Sequence, residues 1–164
     1  MLSFTKFRLA SEAEAEALKT RGLTASCGAP VCLSPVSARV LVTDDGAYTY
    51  LPASVEDKDL LKSWQERVWE ECGDKAWLFA PSESLLLAGD AVIRVFEQYE
   101  GFQEGHAMKI NRIILPQALL PELDTVKTII RRANSFLHGF SSESAEKYGL
   151  RFKYNDRNAE IITV

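Results

Sequence analysis

Cysteine is scarce and odd in number. The 164-residue chain holds three, Cys27, Cys32 and Cys72, which argues against a self-contained disulfide framework. Histidine is scarcer still, limited to His106 and His138, so imidazole chemistry is confined to two positions. No apolar run approaches the roughly 20 residues needed to cross a bilayer; the densest, Leu85-Leu86-Leu87-Ala88-Gly89, meets Asp90 at once. The opening Met1-Leu2-Ser3-Phe4-Thr5-Lys6 lacks the apolar stretch and small-residue cleavage site of a secretory signal. A reducing, cytoplasmic life without membrane contact is therefore expected. The nine glycines are dispersed and build neither a phosphate loop nor a dinucleotide fingerprint. Gly101-Phe102-Gln103-Glu104-Gly105 would set a glutamate against any phosphate.

Excess positive charge is also missing. The chain carries 19 Lys+Arg against 23 Asp+Glu, a formal net charge of −4, with 46% hydrophobic residues. That is the composition of one ordinary globular domain over residues 1–164, long enough to bury a core without a structural metal or cofactor. The charge is unevenly spread. Residues 1–105 hold 10 basic and 17 acidic side chains, residues 106–164 hold 9 and 6, so a negative N-terminal part precedes a weakly positive C-terminal one. A nucleic-acid surface built from Arg131, Arg132, Lys147, Arg151 and Lys153 would be interrupted by Glu143, Glu146 and Asp156. It would also sit in a chain without the basic pI that usually accompanies one.

Local signals give an order of elements. Phe4 to Leu9 suits an opening strand; Ser11 caps a helix to Lys19 whose alanine-rich face should contribute little core. Thr24 to Pro35, rich in Ser, Gly, Pro and Cys, reads as a loop. Asp44-Asp45-Gly46 turns a hairpin between Ser37–Thr43 and Ala47–Leu51. A helix follows over residues 54–72 on the stripe Leu60, Leu61, Trp64, Val68 and Cys72, then a short strand at Ala76–Phe79. Ser82 to Glu100 takes helical steps at Leu85, Gly89, Val92, Phe96 and Tyr99 and is expected to be a helix; the alternative is a hairpin turned at Gly89-Asp90. The strand Met108–Leu115 is expected to alternate Met108, Ile110, Arg112 and Ile114 on one side with Lys109, Asn111, Ile113 and Leu115 on the other. Pro121 opens a second core helix on Leu123, Val126, Ile130, Ala133 and Leu137. A short helix follows Ser141 or Ser142, and Leu150–Tyr154 with Ala159–Val164 makes a last hairpin. The fold class is thus α+β: a mainly antiparallel sheet of five or six strands with two or three helices packed on it.

Three chemistries merit comparison. Cys27, in a loop, could be a nucleophile activated by His106, which opens a strand, whereas His138 at a helix end suits the dipole better than catalysis. Metal binding finds no second Cys or His pair to complete Cys27 and Cys32, so no metal site is expected. Asp90, Glu97, Glu100 and Glu104 cluster in sequence, but acidic runs are ordinarily solvated. A binding surface makes the fewest demands. Trp64, Trp69, Trp77, Tyr99 and Phe102 lie in the acidic part, and aromatic anchors ringed by charge build tight interfaces. Tyr99 and Phe102, flanking Glu100 and Gly101, are the ones most expected to be exposed. The compact acidic profile without a catalytic motif resembles small bacterial or phage inhibitors such as toxin-immunity and anti-defence proteins; the likeness is compositional and carries no residues over. The expected function is a protein-binding module that occludes a partner, itself expected to be basic, through Glu97, Tyr99, Glu100, Phe102 and Glu104. A thiol enzyme using Cys27 and His106, and a nucleic-acid binder, are the alternatives.

Overall fold

In the chain's first described segment, Arg8 and Ser11 fix how the polypeptide enters the fold. The computed structural model describes residues 6–19, 40–53, 77–78, 82–102, 105–138 and 151–164. Strand β1 (Phe7–Leu9) leads into helix α1 (Glu12–Lys19). The Ser11 hydroxyl accepts the Glu14 amide at 3.2 Å while the Glu14 carboxylate accepts the Ser11 amide at 3.0 Å, a reciprocal cap that satisfies two helix-end donors. As expected, α1 gives the core little: Leu18 is its buried side chain.

The hairpin of β2 (Leu41–Thr43) and β3 (Tyr48–Ala53) forms as its turn residues dictate. Gly46 takes a φ of 71° and donates to the Thr43 carbonyl, and Asp45 accepts from both the Thr43 hydroxyl and the Ala47 amide. Strand β4 (Trp77–Leu78) follows. The segment expected to be a helix over Ser82 to Glu100 is instead a hairpin of β5 (Ser82–Ala88) and β6 (Ala91–Phe102). Gly89, with φ 61°, supplies the left-handed first position of a two-residue turn. The β-branched run Val92-Ile93 and Val95 favours the extended chain. The helical spacing misled because Leu85, Leu86 and Leu87 are all buried, on both faces of the sheet, so their burial carries no period.

Strand β7 (Gly105–Leu115) pairs with β6 in a long antiparallel ladder. Phe96 faces Arg112 but Glu97 faces Ile110, leaving Asn111 as an extra residue on β7. This bulge inverts the alternation: Met108 and Ile110 are buried before it, Ile113 and Leu115 after it. A single alternation over Met108–Leu115 is therefore incorrect. Pro121 lies in a 3-10 turn, Gln117–Glu122, and helix α2 begins just after it, at Leu123–His138. The chain then returns through β8 (Arg151–Asn155) and β9 (Glu160–Thr163). These do not form the expected hairpin. Both pair parallel with β7, one after the other, as a single edge broken at Asp156–Ala159. A parallel return needs a crossover, and α2 supplies it.

The fold is a mixed α+β one with a mostly antiparallel sheet, as expected, but among the described residues the sheet has nine strands rather than five or six. Its order is β1-β2-β3-β5-β6-β7-β8, with β4 continuing the line of β5 along β6 and β9 continuing that of β8 along β7. Helix α2 contacts both β1 and β8, at opposite ends of that order, so the sheet curls around it. The main core lies between, with Tyr50, Leu86, Ile93, Ile110, Ile113 and Leu115 meeting Val126, Ile129, Ile130 and Ala133. A smaller cluster of Leu18, Val40, Val42, Leu51, Leu85 and Leu87 fills the other face under α1. No helix among the described residues is long and apolar enough to cross a membrane. The loop over 24–35, the helix over 54–72 and the short helix after Ser141 fall outside the described residues.

Candidate functional site

Helix α2 turns two stripes in two directions. Val126, Ile129, Ile130, Ala133 and Asn134 are buried. Thr128, Arg131, Arg132, Ser135 and Phe136, at steps of three and four, run alongside and line an open groove of about 780 Å³ whose other wall is Lys6 and Phe7 of the β1 segment. Three cations thus border the groove, and among the described residues no carboxylate lines it. Phe136 is 48% exposed. Arg131 is anchored at its far side: its guanidinium stacks 5.4 Å from the centre of the Tyr154 ring and reaches Asp156 at a loose 3.8 Å.

Beneath α2 lies a buried polar cluster. Tyr50 donates its hydroxyl to Glu97 Oε2 at 2.8 Å, and Ser84 donates to Glu97 Oε1. Asn134 donates to the Tyr50 oxygen at 3.3 Å and to the Ile130 carbonyl at 3.1 Å. Burial pushes the Glu97 carboxyl above its ordinary range, against the pull of the Ser84, Tyr50 and Asn134 hydrogen bonds. Burial and the neighbouring Glu97 charge push the Tyr50 phenol up as well. Tyr154 is raised by burial first and then by Asp156 and Glu97. Asn134 Oδ1, the Tyr154 hydroxyl and Asp156 Oδ2 are buried without a hydrogen-bond partner among the described residues.

The residues expected to form the recognition loop are not gathered in one. Glu97 is 5% exposed and serves the core, which corrects its assignment to an exposed acidic face. Tyr99, Glu100 and Phe102 lie in β6, opposite Met108, Ala107 and Gly105 of β7, so this stretch is strand rather than loop. Glu104 lies outside the described residues, as do Cys27, Cys32, Cys72 and Lys147. His106 is the second residue of β7, opposite Gly101 and beside Phe152 of β8. Of the basic residues, Arg131 and Arg132 reach the groove, while Arg151 and Lys153 lie on β8. Sequence reasoning missed Lys6, Thr128, Ser135 and Phe136, although the three- and four-residue steps of the last three with Arg131 and Arg132 mark a second helical stripe. It also missed Tyr50, Ser84 and Asn134, which no local pattern links. Among the described residues, no group of three or more His, Cys, Asp or Glu side chains could hold a metal ion. No protein-family model, curated protein or solved structure matches the chain.

Proposed function

We propose that this chain is a protein-binding module that acts by occluding its partner, and that its binding surface is the groove between β1 and α2. The observation that carries this reading is the gathering of Lys6, Arg131 and Arg132 around one open groove, in a chain whose net charge is −4. Asp156 offsets part of the Arg131 charge from the far side, and Lys6 and Arg132 stand on the same groove. Ser135 adds a hydroxyl able to donate, whereas Thr128 gives its proton to the Asp124 carbonyl, and Phe136 adds aromatic surface. Cations, a hydroxyl and a half-exposed ring favour an acidic partner segment with some apolar content. The expectation of a basic partner rested on the acidic N-terminal part and the stretch from Glu97 to Glu104, of which Glu97 is buried. An inhibitor or immunity-type role, in a reducing cytoplasm, fits a module of this kind.

The test is to pan the full chain against a displayed library of random dodecapeptides, beside the charge-reversed variant Arg131→Glu/Arg132→Glu. The wild-type chain is expected to enrich sequences rich in Asp and Glu, and the double variant to lose that enrichment. Enrichment of Lys- and Arg-rich sequences by both proteins would overturn the groove reading and restore a basic partner.

A further inference from the structure

Glu97 stands where the curled sheet closes on α2. It is buried in β6, and hydroxyls of the neighbouring strands hold both of its carboxyl oxygens, Tyr50 of β3 on Oε2 and Ser84 of β5 on Oε1. Across β7 its register partner is the apolar Ile110. Helix α2 meets the cluster through Asn134, which donates to the Tyr50 oxygen. From β8 comes Tyr154, whose phenol feels the charges of Asp156, Glu97 and Arg131. A carboxylate held away from water by neutral donors is costly, whereas the neutral acid is not. Burial accordingly raises the Glu97 carboxyl. Ionisation therefore favours any motion that brings water to the cluster.

The two sides of the cluster are unequally fastened. On the sheet side, β3 pairs with β5 from Tyr48 opposite Ala88 to Ala53 opposite Glu83, and β5 with β6 from Ser82 opposite Glu97 to Ala88 opposite Ala91. These ladders resist opening. Helix α2 instead rests on the sheet through the side chains of Val126, Ile129, Ile130 and Ala133. Its entry is pinned, because just ahead of it the Gln117 amide donates to the Val164 carbonyl and the Val164 amide to the Leu115 carbonyl. Asn134 lies towards the other end of the helix, where Arg131 adds its stack on Tyr154 and a loose 3.8 Å approach to Asp156.

We propose that Glu97 is a latch on α2: its ionisation releases residues 130–138 from the sheet, hinged on the first turns of the helix, while β3, β5 and β6 stay paired. Opening gives the carboxylate water but uncovers Ile130, Ala133 and Asn134, so the open form is a minor one whose population pH sets. Above the ordinary carboxyl value of 4.5 the closed form alone keeps the proton. Each pH unit then multiplies the open population about tenfold, until the folded value is reached. Arg131, Arg132, Ser135 and Phe136 lie in the released half, so the same motion takes away one wall of the groove.

Native-state hydrogen exchange of the full chain from pH 5 to 8, corrected for the base catalysis of exchange itself, reads the opening amide by amide. Amides of residues 130–138 are expected to lose protection about tenfold per pH unit up to the folded value, and to stay less protected than those of β5 and β6. Glu97→Gln keeps the shape, cannot ionise, and is expected to abolish the pH dependence in α2. Infrared difference spectra of the unaltered chain supply a second readout, so a Glu97→Gln chain that fails to fold does not decide the result. A carboxylic C=O band is expected to persist at pH 5 and to vanish over the range in which α2 loses protection. Lack of that band at pH 5, or its loss over a different range, would overturn the latch. Equal protection of α2 and the sheet at every pH would also overturn it, because ionisation would then act through global unfolding alone. So would an α2 whose protection ignores pH, an unchanged pH dependence in folded Glu97→Gln, or a loss confined to β8.

Discussion

The two sides of α2 handle charge in opposite ways. On the inner side a carboxylate, Glu97, is buried among Tyr50, Ser84 and Asn134, and receives hydroxyl donors but no cation from the described residues. On the outer side Arg131 and Arg132 stand with Lys6 around a groove that no carboxylate lines among the described residues. Had the two charges met, each would have neutralised the other. Their separation by the width of one helix leaves a core that stabilises Glu97 best as the neutral acid, since burial disfavours the ionised form, and three cations beside the groove on the outer side. Stability and the proposed recognition thus fall on adjacent stripes of the same sixteen residues.

The largest effect should come from cutting into the inner stripe. Ile130 is fully buried against the sheet, and Ile130→Ala is expected to destabilise by about 3 kcal/mol, through lost transfer energy and the cavity left behind. Ser135, on the groove stripe, is exposed, and Ser135→Ala should stay within about 0.5 kcal/mol. Urea midpoints of the two variants measure the contrast. Similar losses in both would mean that the outer stripe is also structural and would break the division.

How much of this division was legible in sequence follows from which periods survive folding. The stripe Val126, Ile130 and Ala133 was readable because one side of α2 is wet, so burial follows the helical turn. The Asp44-Asp45-Gly46 hairpin was readable because its turn chemistry is local. β5 was not, because Leu85, Leu86 and Leu87 are buried on both faces and their pattern has no period. The phase of β7 failed at Asn111, where one extra residue inverts everything after it. The last strands suit a hairpin because their turn residues allow one; only the crossover through α2, which brings them back alongside β7, makes the pairing parallel. For the site, Arg131 and Arg132 were named from charge, but Lys6 joins them only through the curl that brings β1 to α2. The cluster around Glu97 draws on β3, β5, β6 and α2, and no local window contains two of its members at a telling spacing.

A second, smaller effect concerns pH. Glu97 has its carboxyl raised by burial in the folded state, so the native chain holds a proton that the unfolded chain gives up. Stability from this group is fully present below the ordinary value near 4.5 and is lost as pH rises from there through the folded value. Tyr50, Tyr154 and Asn134 face the carboxyl and Asp156 lies beyond Tyr154; none of them brings a positive charge that would reverse the sign. Glu14 has the opposite sense: the Arg8 guanidinium holds it down at about 2, so its contribution is lost as pH falls from about 4.5 towards that value. Urea midpoints measured from pH 5 to 8 should therefore decline in the wild type and flatten in Glu97→Gln, by less than the loss in Ile130→Ala. A decline of equal slope in both proteins would place the titrating group elsewhere.

The smallest effect tests whether exposure alone accounts for the contrast. Arg112 donates Nε to Glu160 at 3.1 Å across the β7–β9 edge, with side chains 44% and 59% exposed, and the same guanidinium lies 5.5 Å from the centre of the Phe96 ring. This carboxylate has the cation that Glu97 lacks, but in water the attraction is screened and two side chains must be held still to keep it. Glu160→Gln should therefore change stability by less than about 0.5 kcal/mol, with that small difference shrinking further in added salt. The paired, exposed carboxylate would then matter less than the unpaired, buried one, and the pH response of the fold would trace to where a carboxyl sits rather than to whether it has a cation. A loss in Glu160→Gln as large as that in Ile130→Ala would instead make the broken β8–β9 edge a principal support of the sheet.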